Sequence, residues 1–209
     1  MNLRGRENRR KFLKEYDITA ISHLKLLEGQ KKDGAGGLLT DRYYCFSYRL
    51  KGDKGNDIGT FNCGYHIAED LLELSNQEKL PLFNPFKTIN EVNKSHKHEG
   101  DENLGAGQSR KQYNDLALQL TNAINLIIFC YDGSINGTLA KIKNETDKYY
   151  YNEPYDYKIK SVNTIIGNLF NQKLKDKVNE ITKNQEVKNF NFSLLTEVIE
   201  KNELVNNFE

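Results

Sequence analysis

Cys63 and His66 are the residues of this chain whose types and spacing most directly suggest chemistry. The stretch Ile58-Gly59-Thr60-Phe61-Asn62-Cys63-Gly64-Tyr65-His66 reads as a strand that passes through a glycine turn into a helix. A thiol at a helix N-terminus faces the positive end of the macrodipole, which lowers its pKa and favours the thiolate. An imidazole three residues on shares a helix face with it, so the pair has the parts of nucleophilic catalysis: an activated thiol and a proton acceptor. Gly64 and Tyr65 would offer N–H groups to a phosphate or an oxyanion. Glu69 and Asp70, in the same helix, would orient the site. The same residues also read as a small buried thiol closing a strand, followed by a surface histidine in a first helical turn.

A metal reading shares these residues. If the turn after Leu50 is symmetrical about Lys54, Cys45 lies directly across from Cys63. Cys45, Cys63 and His66 would then supply three ligands of a tetrahedral zinc site, with the fourth from His23, His96, His98 or Cys130. Zinc sites normally carry two paired clusters, and no Cys-x-x-Cys or His-x-x-x-His element accompanies these residues, so no metal is expected. The glycine-rich stretch Gly34-Ala35-Gly36-Gly37 precedes a strand and is not followed by Gly-Lys-Ser/Thr. It is no phosphate-binding fingerprint, and no cofactor can be named.

A third chemistry is contact with nucleic acid. Arg4, Arg6, Arg9, Arg10, Lys11 and Lys14 stand against one acid, Glu7. Arg6, Arg9, Arg10 and Lys11 would neutralise phosphates. Tyr149, Tyr151 and Tyr155, interleaved with Lys158, would stack unpaired bases. Glu153 and Asp156 dilute that charge, and tyrosines also cover protein interfaces. The leading expectation is a binding module that contacts nucleic acid or a protein of a nucleic-acid machine. The alternatives are a cysteine-dependent enzyme or nucleotide-binding protein using Cys63 and His66, and a protein-interaction or inhibitory protein.

The elements that must position these residues are bounded by composition. A chain of 209 residues suits a single substantial core. Its 37% hydrophobic and 28% charged residues give a very polar surface, and its net charge of +1 excludes a polycation steered as a whole to nucleic acid or acidic lipid. No apolar run approaches the roughly 18 residues of a membrane span, and the first residues lack a signal-peptide core, so a soluble cytoplasmic protein without membrane contact is expected. Three cysteines at wide spacing point to reduced thiols. Abundant Asn, Lys and Ile without Trp fits an AT-rich coding sequence, as in low-GC bacteria and their phages.

Along the chain, Phe12, Leu13, Tyr16, Ala20, Leu24 and Leu27 predict an amphipathic helix ending at Gly29, either continuous or broken near Asp17, and Lys31 to Gly37 a flexible loop. Tyr43 to Leu50 and Ile58 to Cys63 form a predicted hairpin, followed by a helix over Tyr65 to Ser75 and a long loop over 87–112. Leu116, Leu120, Ala123, Ile124, Ile127 and Tyr131 predict a central buried helix, the alternative being a strand from Ile124 to Tyr131. A short helix is expected over Thr138 to Lys143, one capped by Ser161 through Leu169, and a last one capped by Ser193. The predicted fold is α+β: a small antiparallel sheet on helices, with a domain over 1–170 and a polar helical extension over 171–209 that docks on a partner.

Overall fold

A computed structural model describes residues 1–53, 59–87, 111–133, 135, 137–183 and 185–209. In chain order the elements are α1 (Arg6–Glu15), β1 (Tyr16–Lys25), β2 (Lys32–Gly34), β3 (Gly37–Leu39), β4 (Arg42–Leu50), β5 (Gly59–Gly64), α2 (Tyr65–Leu74), β6 (Leu82–Phe83), α3 (Asp115–Cys130), α4 (Gly137–Lys148), α5 (Asp156–Phe170), α6 (Leu174–Ile181) and α7 (Ser193–Lys201).

The fold is α+β, and β4 explains its layering. Successive side chains of a strand alternate between faces. Tyr43 and Cys45 are buried in one core, and Tyr44 and Phe46 in another. A strand buried on both sides needs cover on both sides. On one face, α1 and α2 bring Phe12, Leu13, Leu71 and Leu72 against Tyr44, Phe46 and Phe61. On the other, α3 to α7 bring Leu120, Ile124, Val162, Leu195 and Ile199 toward Ile21, Leu24 and Tyr43. Helix α3 is the hub, with eleven of its sixteen residues buried. Asn114 caps its start by accepting from the Ala117 N–H at 3.1 Å.

The sheet runs β5-β4-β1-β6. It is mixed rather than purely antiparallel, because β6 joins β1 in parallel through His23 and Leu24. β1 replaces the helix expected to reach Gly29: α1 ends at Glu15, and Tyr16, Ile18, Thr19 and Ile21 continue as strand. β-branched and aromatic side chains favour the pleated backbone, and pairing with β4 decides the outcome. Opposite β4, Ala20 faces Phe46 and Ser22 faces Cys45, so Ile21 is the extra residue of a β-bulge. The bulge reverses the alternation. Ile18 and Ala20 point to the α1–α2 side before it, while Leu24 points to the α3 side after it.

The β4–β5 register also corrects an expectation. Tyr44 pairs with Cys63 and Cys45 with Asn62, one residue away from the symmetrical register. A slip of one flips the face, and Cys45 and Cys63 lie in different cores. The expected loop over Lys31 to Gly37 is instead the hairpin β2–β3. Its Gly37 has φ 128°, a conformation that a side chain would strain.

In the helical half, residues 124–130 belong to α3, as the favoured reading had it. α4 runs five residues beyond the expected Lys143. α5 starts at Asp156, so Ser161 is not its cap; its hydroxyl donates to the Tyr157 carbonyl one turn back. α7 begins at Ser193, so Phe192 and not Ser193 holds its N-cap position, and its apolar residues Leu195 and Ile199 are covered by this chain's own core, together with Phe208. Most of the expected long loop over 87–112, including His96 and His98, lies outside the described residues.

Candidate ligand-binding site

The residues singled out from sequence fall in separate places. Cys63 is completely buried, and that burial pushes its thiol pKa up, overriding the helix N-terminus beside it. The His66 side chain is 98% exposed, with Nδ1 3.9 Å from Glu69. The thiol and the imidazole therefore face core and solvent and are not brought together. Gly64 is the N-cap of α2 with an extended backbone. The Tyr65 ring is occupied by cations, with Arg42 at 4.2 Å and Lys79 at 5.6 Å from its centroid. Among the described residues no three His, Cys, Asp or Glu side chains cluster to hold a metal.

The basic cluster is partly spent inside the molecule. Arg9 donates through Nε to Asp70 at 2.7 Å, and Arg6 to Glu73 at 3.0 Å, fastening α1 to α2. Arg10 and Lys11 stay exposed. Tyr149 and Tyr155 are exposed, while Tyr151 has Lys111 Nζ 3.6 Å over its ring. Lys158 is buried and its Nζ sits 2.9 Å from Glu145. α1 packs on the α2 side of the sheet, whereas the tyrosine segment joins α4 to α5 on the other. The two halves of the expected nucleic-acid surface therefore lie in different layers.

What the structure does assemble is a cavity of about 360 Å³ between the sheet edge and the α3–α4 pair. One wall is the bulged part of β1, Ile21, Ser22 and His23, with the chain leading into β6, Leu80 to Phe83. The opposite wall is a stripe on α3, Leu118, Thr121, Asn122 and Asn125, at the three-and-four spacing that puts residues on one helix face. Lys143 and Asp147, one turn apart on α4, close the end with Tyr113 and Tyr150.

The polar groups form a connected network. The Lys143 side chain is only 5% exposed, and its ammonium pairs with Asp147 Oδ2. Thr121 Oγ1 donates to Asp147 Oδ1 at 3.2 Å, and the Tyr113 hydroxyl lies 3.2 Å from Thr121 Oγ1. Burial pushes the Tyr113 phenol up to about 12, so it stays protonated. Across the cavity, Ser22 Oγ donates to Asn125 Oδ1 at 2.7 Å. The bulge is what aims that hydroxyl at α3.

His23, considered from sequence as a fourth zinc ligand, lines this cavity. Its Nδ1 lies 3.2 Å from the Leu80 carbonyl, an acceptor only, so Nδ1 carries the proton. Nε2 is buried with no hydrogen-bond partner among the described residues. Burial lowers the His23 pKa, and the Arg42 charge adds to this against the hydrogen bond to Leu80. The ring stacks on Tyr44 at 4.2 Å.

Of the polar residues around this cavity, the sequence pattern singles out only His23. Thr121, Asn122 and Asn125 interrupt the apolar stripe of α3, and Lys143 with Asp147 is an i,i+4 pair on a helix that also carries Leu139, Ala140 and Ile142 inward. A family model described as "Uncharacterised conserved protein UCP028583" matches residues 1–207. No curated protein and no solved structure matches the chain.

Proposed function

We propose, for a chain that belongs to this uncharacterised family over nearly its whole length, that it is a binding protein for a small polar organic ligand, held between the bulged edge of β1 and helices α3 and α4. One observation carries the reading: the wall of a 360 Å³ cavity holds a buried ammonium, a carboxylate and a string of hydroxyls and amides. Ligand sites are concave and mostly apolar, with a few fixed polar groups, and start at about 300 Å³. Taking the Lys143 ammonium out of water beside a partly exposed Asp147 carries a desolvation cost that a packed apolar side chain would not. Such a feature earns its place where it meets a ligand.

Native mass spectrometry of the protein purified without dialysis tests this, alongside Leu118→Trp, which fills the cavity from α3. The expected result is a small-molecule mass carried by the wild type and lost in the variant. A bare polypeptide mass, with no response of cavity-lining residues to added small molecules by NMR, overturns the reading.

A second reading, contact with nucleic acid, is favoured by the Tyr155 and Tyr157 rings. They are 72% and 55% exposed and stack on one another at 6.1 Å, a surface on which an unpaired base can stack. Anisotropy of a labelled single-stranded oligonucleotide at two salt concentrations tests it. Binding that Tyr155→Ala/Tyr157→Ala abolishes and Arg10→Glu/Lys11→Glu spares supports the tyrosine surface. The reverse pattern assigns binding to α1, and no binding at low salt ends the reading.

A further inference from the structure

The hydrogen bonds around the cavity have a direction, and it constrains the ligand. Thr121 has one hydroxyl proton, and it is given to Asp147. In the contact between Tyr113 and Thr121 the phenol must therefore be the donor, which spends its only proton as well. Ser22 gives its proton to the Asn125 carbonyl oxygen. Three hydroxyls on the wall thus point their protons at protein acceptors. What they leave toward the cavity is lone pairs.

The donors left over come from three other side chains, besides the Tyr150 hydroxyl, which makes no hydrogen bond among the described residues. With its oxygen engaged by Ser22, Asn125 has its NH2 group left. Asn122, one residue past Thr121 on the same stripe, makes no side-chain hydrogen bond among the described residues and is half-buried in the wall. Lys143 commits one of three ammonium protons to Asp147. Asp147, the one carboxylate in the wall, is already engaged on both oxygens by Lys143 and Thr121.

Resting on the ligand-binding reading of this cavity, we infer that the site selects ligands by a hydrogen-bond acceptor, a carboxylate or an amide carbonyl, received by Asn122, Asn125 and Lys143. The rest of the ligand lies along Ile21, Pro81, Leu82, Phe83 and Leu118. A substituted benzene suits such a wall, since a dry cavity of about 150 Å³ already holds benzene itself. Selection against a cation follows from the same arrangement. An amine would repeat the charge of the Lys143 ammonium, and the carboxylate that could offset it, Asp147, is already engaged on both oxygens.

Three probes with one ring and different heads test this: benzoate, benzamide and benzylamine, titrated into the full chain and followed by NMR chemical shifts of Asn122, Asn125 and Leu118. Benzoate and benzamide are expected to bind about tenfold or more tighter than benzylamine, the difference of roughly one charge-assisted hydrogen bond. Asn122→Asp, at a half-buried position where no hydrogen bond is lost, should reverse that order, and Asn125→Leu should weaken both acceptors. Benzylamine binding the wild type as well as benzoate does would overturn the inference and leave the cavity a ligand site. Acceptor preference unchanged in both variants would overturn it too, by placing the donors elsewhere. No shift at the cavity residues with any probe at millimolar concentration would overturn the ligand-binding reading, and the inference with it.

Discussion

Cys63 shows how far burial outweighs position. A helix N-terminus stabilises an adjacent negative charge by at most about 2 kcal/mol, whereas full burial raises the pKa of an acidic group by several units. The thiol is therefore expected to resist iodoacetamide at neutral pH until the protein is unfolded, and rapid alkylation of the native protein would contradict the packing. Cys45 and Cys130 are pushed up to about 12 by the same cause. A thiol whose folded pKa is raised adds stability that is whole below its unfolded value near 9 and is lost as pH climbs to 12. Between pH 9 and 11 the wild type should accordingly lose more unfolding free energy than Cys45→Ala does, read from urea melts at each pH. In the cavity, Lys143→Met leaves Asp147 without its cation. Breaking a buried pair costs about 3–5 kcal/mol, and the lower end applies because Asp147 is partly exposed. Lys143→Met/Asp147→Leu should recover much of that loss; a double variant as unstable as the single one would deny the coupling.

At the level of elements, the bulge in β1 and the tethers of α3 do most to shape the site. By adding Ile21, the bulge turns Ser22 toward Asn125, and β6 pairs with β1 just beyond it, at His23 and Leu24. Helix α3 is held at both ends. Asn114 caps its start, and Lys32, reaching in from the β2–β3 hairpin, donates to the carbonyls of Ile128 at 3.2 Å and Tyr131 at 2.7 Å. A cation at a helix C-terminus complements the macrodipole. Burial lowers the Lys32 pKa and the nearby Asp132 charge opposes that shift. Lys32→Met keeps the stem and removes the charge, leaving the Tyr131 carbonyl without its donor and the Ile128 carbonyl with the Tyr43 hydroxyl at 3.3 Å, and is expected to cost about 1–3 kcal/mol in a denaturant melt. An unchanged midpoint would show that water serves those carbonyls as well as the lysine does.

The whole molecule is three layers, with α1 and α2 on one side of the sheet and α3 to α7 on the other. This arrangement separates the free cations of α1 from the tyrosines before α5. It also gives the last helix its partner: Leu195, Ile199 and Phe208 complete the core around α3 and α5, and Asn163 binds the Asn207 N–H and the Val205 carbonyl at 2.8 Å each. Removing residues 193–209 should therefore abolish the cooperative thermal transition, since it strips several fully buried side chains worth about 1.5–3 kcal/mol each. A truncated chain that still melts sharply near the wild-type temperature would restore the tail as a free docking segment. No helix among the described residues is long and apolar enough to cross a membrane.

Local pattern determined a good deal by itself. Alternating aromatics specify β4, sustained apolar periodicity specifies α3, and the glycine before Tyr65 marks the start of α2, because each signal depends on the residue and its near neighbours. Where pairing partners decide, the sequence is silent. Tyr16 to Lys25 carries side chains acceptable to helix and strand, and β4 makes it a strand; a one-residue register sends Cys45 and Cys63 to opposite cores; burial then reverses the reactivity suggested for Cys63. The cavity belongs to the same class. Ser22, Asn125, Thr121 and Asp147 are drawn from a strand and two helices up to 125 residues apart in numbering, and only the packing of α3 and α4 against a bulged sheet edge brings their polar atoms within hydrogen-bond distance.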